Sequence, residues 1–302
     1  MSERIDFEIA RVLGAPIDPN FKVSLPLAEI CNLETAQPGE LVRIFNSSDE
    51  DANVDDIYSV DANGGLTIHK VSPVAPATMT FVGVQSKLEY VLIDEILPAA
   101  DQSALARKKA GITRAMDKKE LSNILAAIVA VVSQEVVQGS GVDLYDLIQG
   151  MIHKVEDYGD NYALLVGSSV KEAIDSYDKI NADNFNYRVG LKEFIASSGI
   201  TVTKVIGKVN GARVLATDKL ILVARDSTLA MGKPITFIRR LMSPEIQQLM
   251  KSEQAERAIS VAQAPTVINA DGKNTLGYGV FGYESVIQTI TNYRALAWAT
   301  LA

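Results

Sequence analysis

Apolar residues recur at helical spacing over one unusually long stretch: Ile112, Met116, Leu121, Ile124, Leu125, Ile128, Val132 and Val136. They predict a helix from near Ala100 or Asp101, after Pro98, to about Val137, where Gly139-Ser-Gly141 stops it. Gly111 is its one weak position. At about 1.5 Å per residue such a helix is roughly 50 Å long, more than most compact domains need. A second amphipathic helix follows, capped by Asp143, with Leu144, Leu147, Ile148, Met151, Ile152 and Val155 on one face.

Before the long helix the pattern is that of strands. Leu41–Phe45, Leu66–Val71, Met79–Val84 and Tyr90–Ile93 are rich in β-branched and aromatic residues, with Asn63-Gly64-Gly65 as a turn. They read as a long β-hairpin. Residues 1 to about 38 carry Pro16, Pro19, Pro26 and Pro38, which suits an extended arm better than core helices. From Tyr162 to Arg225 the pattern alternates: strand Tyr162–Val166, helix Val170–Ile180 capped by Ser168 or Ser169, helix Val189–Ser197, strand Thr201–Ile206, then the hairpin of Arg213–Ala216 with Lys219–Arg225. A strand at Ile235–Arg239, a helix from Pro244 to about Ala258 and a β-rich end from Val280 to Leu301 complete the chain; the last segments are expected to return to the sheet of the long helix.

Composition narrows the function classes. The chain has 302 residues, 47% hydrophobic and 22% charged, enough for one large domain or two intimate ones. A net charge of -8 argues against a dedicated sequence-reading nucleic-acid binder. A single cysteine, Cys31, excludes an internal disulfide framework and, with only two histidines, leaves few soft metal ligands. The charged N-terminus lacks the apolar core of a signal peptide, and the longest apolar run, Ile124–Val132, is too short to span a bilayer.

No candidate chemistry assembles into a catalytic constellation. Gly277-Tyr-Gly279-Val-Phe-Gly282 matches the dinucleotide fingerprint, but no strand precedes it and no helix follows, so turn glycines explain it better. His153 and Asp157 lie four apart beside Glu156 and make only two metal ligands. Gly167-Ser168-Ser169 lacks the full nucleophile elbow and is explained by helix capping. Thus no catalytic residue, cofactor or metal is expected. Charge asymmetry is the feature that remains. Between Glu40 and Asp61 seven acidic residues face one basic residue, Arg43, for a net of -6. Between residues 104 and 122 six basic residues face Asp117 and Glu120, for a net of +4. The two segments are expected to meet between copies of the chain, Asp49, Glu50, Asp51, Asp55 and Asp56 of one subunit near Arg107, Lys108, Lys109, Arg114, Lys118 and Lys119 of its neighbour.

The order arm, long hairpin, long helix, αβ module and returning β segment resembles the major capsid proteins of tailed bacteriophages, the Hong Kong ninety-seven fold. Local likenesses are Asn161–Val170, Gly199–Ile206 leading to Leu220–Arg225, and Val280–Glu284. The resemblance implies an α+β fold with an N-arm at 1–38, an extended loop at 39–96, a peripheral domain with a spine helix at 97–159, an axial domain at 160–226 and a return to the peripheral domain at 227–302. It implies a non-enzymatic head protein that self-assembles through hexamers and pentamers into an icosahedral shell around double-stranded DNA. That DNA would be held non-specifically, with scaffold, portal and decoration proteins as further partners and no membrane. The shell would be built in the host cytoplasm. Some members cross-link a loop lysine, for which Lys70 and Lys87 are the local candidates. An encapsulin shell enclosing cargo enzymes is the alternative within the fold. A cytoplasmic α/β enzyme built on residues 162–225 is the alternative outside it.

Overall fold

The computed structural model of the chain describes residues 27–44, 77–86, 89–92, 104–130, 135–139, 142–180, 190–228, 232–249, 255–268 and 274–301. Two sheets share one long helix. The central sheet has five strands in the order β6 (Glu135–Val136), β15 (Leu296–Thr300), β11 (Lys219–Arg225), β7 (Asn161–Val166) and β8 (Ile200–Lys204). Its inner strands are buried without alternation, as expected of a sheet covered on both faces. On one face Leu164, Leu222 and Ala297 pack against helices α3 (Leu144–Val155), α4 (Ser168–Ile180) and α5 (Leu191–Ser197) through Leu147, Met151, Val170 and Leu191. On the other face Leu165, Ile221, Val223 and Trp298 share a core with Ile124, Leu125 and Ile128 of the long helix α2 (Ala104–Val129).

The second sheet is organised by the longest strand, β14 (Asn274–Ile290). Along one edge it pairs with β13 (Arg257–Ile268) and then β12 (Ile235–Arg240), both antiparallel. Along the other it pairs with β4 (Val82–Gln85) and β5 (Glu89–Leu92). Beyond β12 lies β1 (Cys31–Ala36), parallel to it. Helix α2 crosses this sheet at Gly282, where a Cβ would lie 2.8 Å from Ile112 Cγ2 and collide with Met116 Sδ. Glycine at this position therefore sets how closely helix and sheet approach. On the opposite face Ile238, Ile287 and Ala36 are covered by Val42, Met79 and Phe81, next to the short ladder of β2 (Arg43–Ile44) and β3 (Ala77–Thr78). The Arg240 guanidinium caps Phe81, 3.9 Å from the ring centroid.

Several expectations are corrected by these pairings. The long helix ends at Val129, and Glu135–Val136, expected within it, form β6 alongside β15. Leu296–Thr300 enters the central sheet between β6 and β11, where Leu296 and Trp298 share a core with α2. Leu27, Ile30 and Cys31, expected in an extended arm, are buried core: helix α1 (Leu27–Ile30) leads directly into β1. The helix from Pro244 (α6, Pro244–Leu249) is one short piece, because Arg257 and Ala258 already pair with Glu284 and Tyr283. Gly277, Gly279 and Gly282 are interior strand positions rather than turn glycines. Residues 1–26, the hairpin arms and turn at 45–76, Lys70 and Lys87 lie outside the described residues.

Candidate assembly surface

The two acids of helix α2 face the second sheet. Asp117 and Glu120 turn inward, onto arginines of β12 and β13. Arg257 Nη1 donates to Asp117 Oδ1 at 2.6 Å, Arg257 Nε to Glu284 Oε2 at 2.6 Å, and Arg239 Nη2 to Glu120 Oε2 at 2.9 Å. Arg257 Nη2 lies 3.2 Å from Glu120 Oε1, and Glu256 joins at the rim, 3.5 Å from Arg239 Nη1. Glu120 and Glu284 are buried. Inside this knot three carboxylates, Asp117, Glu120 and Glu284, face two guanidiniums. Burial, and then the negative charge of Glu120, push the Glu284 carboxyl up to about 7 against the pull of Arg257. Burial works against the Arg257 charge, yet Glu284, Asp117 and Glu120 hold its pKa above the ordinary arginine value.

With both acids engaged, the outward charge of α2 is basic. Lys119 is exposed, while Lys109, Arg114 and Lys118 are half-buried. Arg114 Nε donates to the carbonyl of Ala110 at 3.3 Å. The Lys118 stem runs over Gly207, whose absent Cβ would lie 3.0 Å from Lys118 Cε. Arg107 and Lys108 belong to the same helix. The acidic set Asp49, Glu50, Asp51, Asp55 and Asp56 lies outside the described residues.

Gly207 opens a small hairpin that sequence reasoning missed, β9 (Lys208–Val209) and β10 (Ala212–Arg213). Asn210 and Gly211 take positive φ, 49° and 85°, the two-residue turn for which Asn-Gly is the strongest short signal. That dipeptide was the legible clue. The hairpin is seated firmly: Val205, Val214 and Leu215 are buried and Val209 packs against the same core as α2. Lys208 and Arg213 stand directly opposite one another, both exposed.

The remaining candidates resolve into structure. Asp143 caps α3 as expected, accepting from Asp146 N at 2.9 Å and from the Tyr177 hydroxyl at 2.6 Å. His153 Nδ1 meets Glu156 at 3.2 Å on an exposed surface, and no group of three metal-binding side chains occurs among the described residues. Ser168 and Ser169 lie inside α4 rather than ahead of it, and Gly167 is required because the backbone of Ala216 and Thr217 crosses where its Cβ would be. Burial pushes the Cys31 thiol up to about 12, which leaves it inert as a nucleophile. Among the described residues no helix is long and apolar enough to cross a membrane.

No family profile matches this chain, and neither does any curated protein. Solved structures do. A structure of Microbacterium phage Oxtober96 is similar over 96% of this chain and 94% of its own, with 13% identity and a TM-score of 0.55. The capsid of an empty GTA particle is similar over 93% and 91%, with 10% identity and a TM-score of 0.54. The holo-SrpI encapsulin complex from Synechococcus elongatus PCC 7942 is similar over 96% and 93%, with 14% identity and a TM-score of 0.51. Together with the two sheets and the shared long helix, these likenesses show that the chain has the α+β capsid fold of the Hong Kong ninety-seven type.

Proposed function

We propose that this protein is a structural shell subunit, a major capsid protein of a tailed phage that assembles with copies of itself into a closed icosahedral shell around double-stranded DNA. The observation that carries this reading is the extent of the likeness: over more than nine-tenths of the chain the fold is similar to that of a phage structure and of a particle capsid. Open edges support it. Strands β1 and β8 end their sheets among the described residues, and Leu33 on β1 is 51% exposed. Within the assembly the acidic segment at Asp49–Asp56 of one subunit contacts the basic side of a neighbour's α2, where Lys119 is exposed and the helix's own acids are already engaged. Sedimentation velocity over a range of concentrations tests the proposal: species of many tens of subunits are expected, and a compact monomer at every concentration overturns it.

The encapsulin likeness carries a second reading, a shell around cargo enzymes. Particle contents separate the two. Nuclease-protected DNA supports the phage capsid, whereas a single co-purifying protein without DNA supports the nanocompartment.

A further inference from the structure

We propose that the β9–β10 hairpin and the adjoining Lys118 form the contact surface for the phosphate backbone of nucleic acid held inside the shell, a partner assignment that rests on the shell reading above. Lys208 and Arg213 are the only charged residues between Val205 and Thr217, with no carboxylate in that stretch. Lys208 and Arg213 are register partners in an antiparallel ladder. Like charges placed directly opposite destabilise such a pair, so the hairpin holds a repulsion that an external anion relieves. Lys118 adds a further cation from the helix side, its stem held against Gly207.

Three properties favour a phosphate backbone over other anions. Lys208 and Arg213 are exposed and carried on flexible stems, which suits phosphates at variable positions, while Lys118 is half-buried. Their base is rigid, because Val205, Val209, Val214 and Leu215 anchor the hairpin to the core of α2. The hairpin is a two-residue ladder, too short to lie along a groove as a helix or long ribbon does, so contact with phosphates is sequence-independent. Three neutralised phosphates per subunit, at Lys118, Lys208 and Arg213, correspond to a log–log salt slope of about -2.7. Affinity per subunit is therefore low, and repetition over a shell supplies retention.

The test uses the full chain, below the concentration at which it assembles, and a fluorescent duplex of arbitrary sequence of about 30 base pairs, followed by anisotropy between about 50 and 200 mM salt. Wild type is expected to show the steep slope. In the double variant Lys208→Glu, Arg213→Glu the slope falls by about two and affinity at low salt drops at least tenfold. Lys118→Gln lowers the slope by about one. Ile206→Ser, at an apolar residue 72% exposed beside the hairpin, leaves duplex affinity within about twofold, as a phosphate partner requires and a protein partner does not. An unchanged slope in the double variant overturns the proposal. So does an Ile206→Ser loss as large as the charge reversal, or binding of a synthetic peptide of residues 47–61 through Lys208 and Arg213 in place of the duplex. Sedimentation of the same proteins at higher concentration, without duplex, keeps the two readings apart: absent particles count against the shell, while normal particles with unaltered duplex binding count against the hairpin alone.

Discussion

Replacing Arg257 by methionine removes the cation at the centre of the buried knot while keeping a side chain of comparable length. Three carboxylates then lose their shared partner: Asp117 at 2.6 Å, Glu284 at 2.6 Å and Glu120 at 3.2 Å. Glu120 keeps Arg239, but Glu284, which is 2% exposed, has no other cation among its described contacts. Breaking a buried pair from one side costs about 3–5 kcal/mol, a large share of the roughly 5–15 kcal/mol that holds a domain together. With a urea slope near 3 kcal/mol/M the midpoint falls by about 1–2 M at pH 7.5, read by circular dichroism at the helical band. The loss also depends on pH. Glu284 already sits at about 7, and without Arg257 its folded value rises further above that of the unfolded chain. The folded variant therefore takes up a proton that the unfolded chain does not, and stability returns as pH falls from above 7 toward about 4.5. Adding Glu284→Met to Arg257→Met restores part of the stability at pH 7.5, since the orphaned charge is gone. A loss below about 1 kcal/mol, or an equal loss at pH 5.5 and pH 8, refutes the account of this knot.

Four further outcomes follow from the same geometry. Glu284→Gln removes a carboxyl whose folded value exceeds its unfolded one, so the stability that wild type sheds as pH rises from about 4.5 to 7, at most about 3 kcal/mol, is absent from the variant's pH–melting profile. Gly282→Ala places a methyl against Ile112 and Met116 and lowers stability by about 1–3 kcal/mol in chemical denaturation. Asp143→Ala strips the cap of α3 and the partner of the Tyr177 hydroxyl, costing about 1–2 kcal/mol by the same assay. Reversing Asp55 and Asp56 to lysine slows assembly measured by light scattering, and adding Lys118→Glu and Lys119→Glu partly restores it; no restoration rejects that inter-subunit contact.

What local pattern could show, it showed well. Ile112, Met116, Leu121, Ile124, Leu125 and Ile128, chosen on spacing alone, are all buried along α2. The apolar runs at 162–166 and 220–224 are the inner strands of the central sheet. Long-range pairing was not legible. Glu135–Val136 continue the helical period, yet pair with Trp298 and Ala299, more than a hundred residues away, and nothing local encodes that partner. The same holds for β1, whose partner β12 is some two hundred residues downstream. At Gly277–Gly282 composition misled: glycine signals a turn in isolation, but Gly282 lies where a helix presses on a strand. For the site, the charge of α2 could be counted from sequence. The inward turn of Asp117 and Glu120 could not, because it depends on Arg239 and Arg257 from distant strands.

The proposed closed shell requires that neighbouring copies cover strand edges such as β1 and β8, which end their sheets among the described residues. Electron microscopy of the purified chain tests it most directly. The account predicts uniform icosahedral particles whose reconstructed subunit places α2 between the two sheets. Filaments, open aggregates or monodisperse monomers at high concentration contradict it.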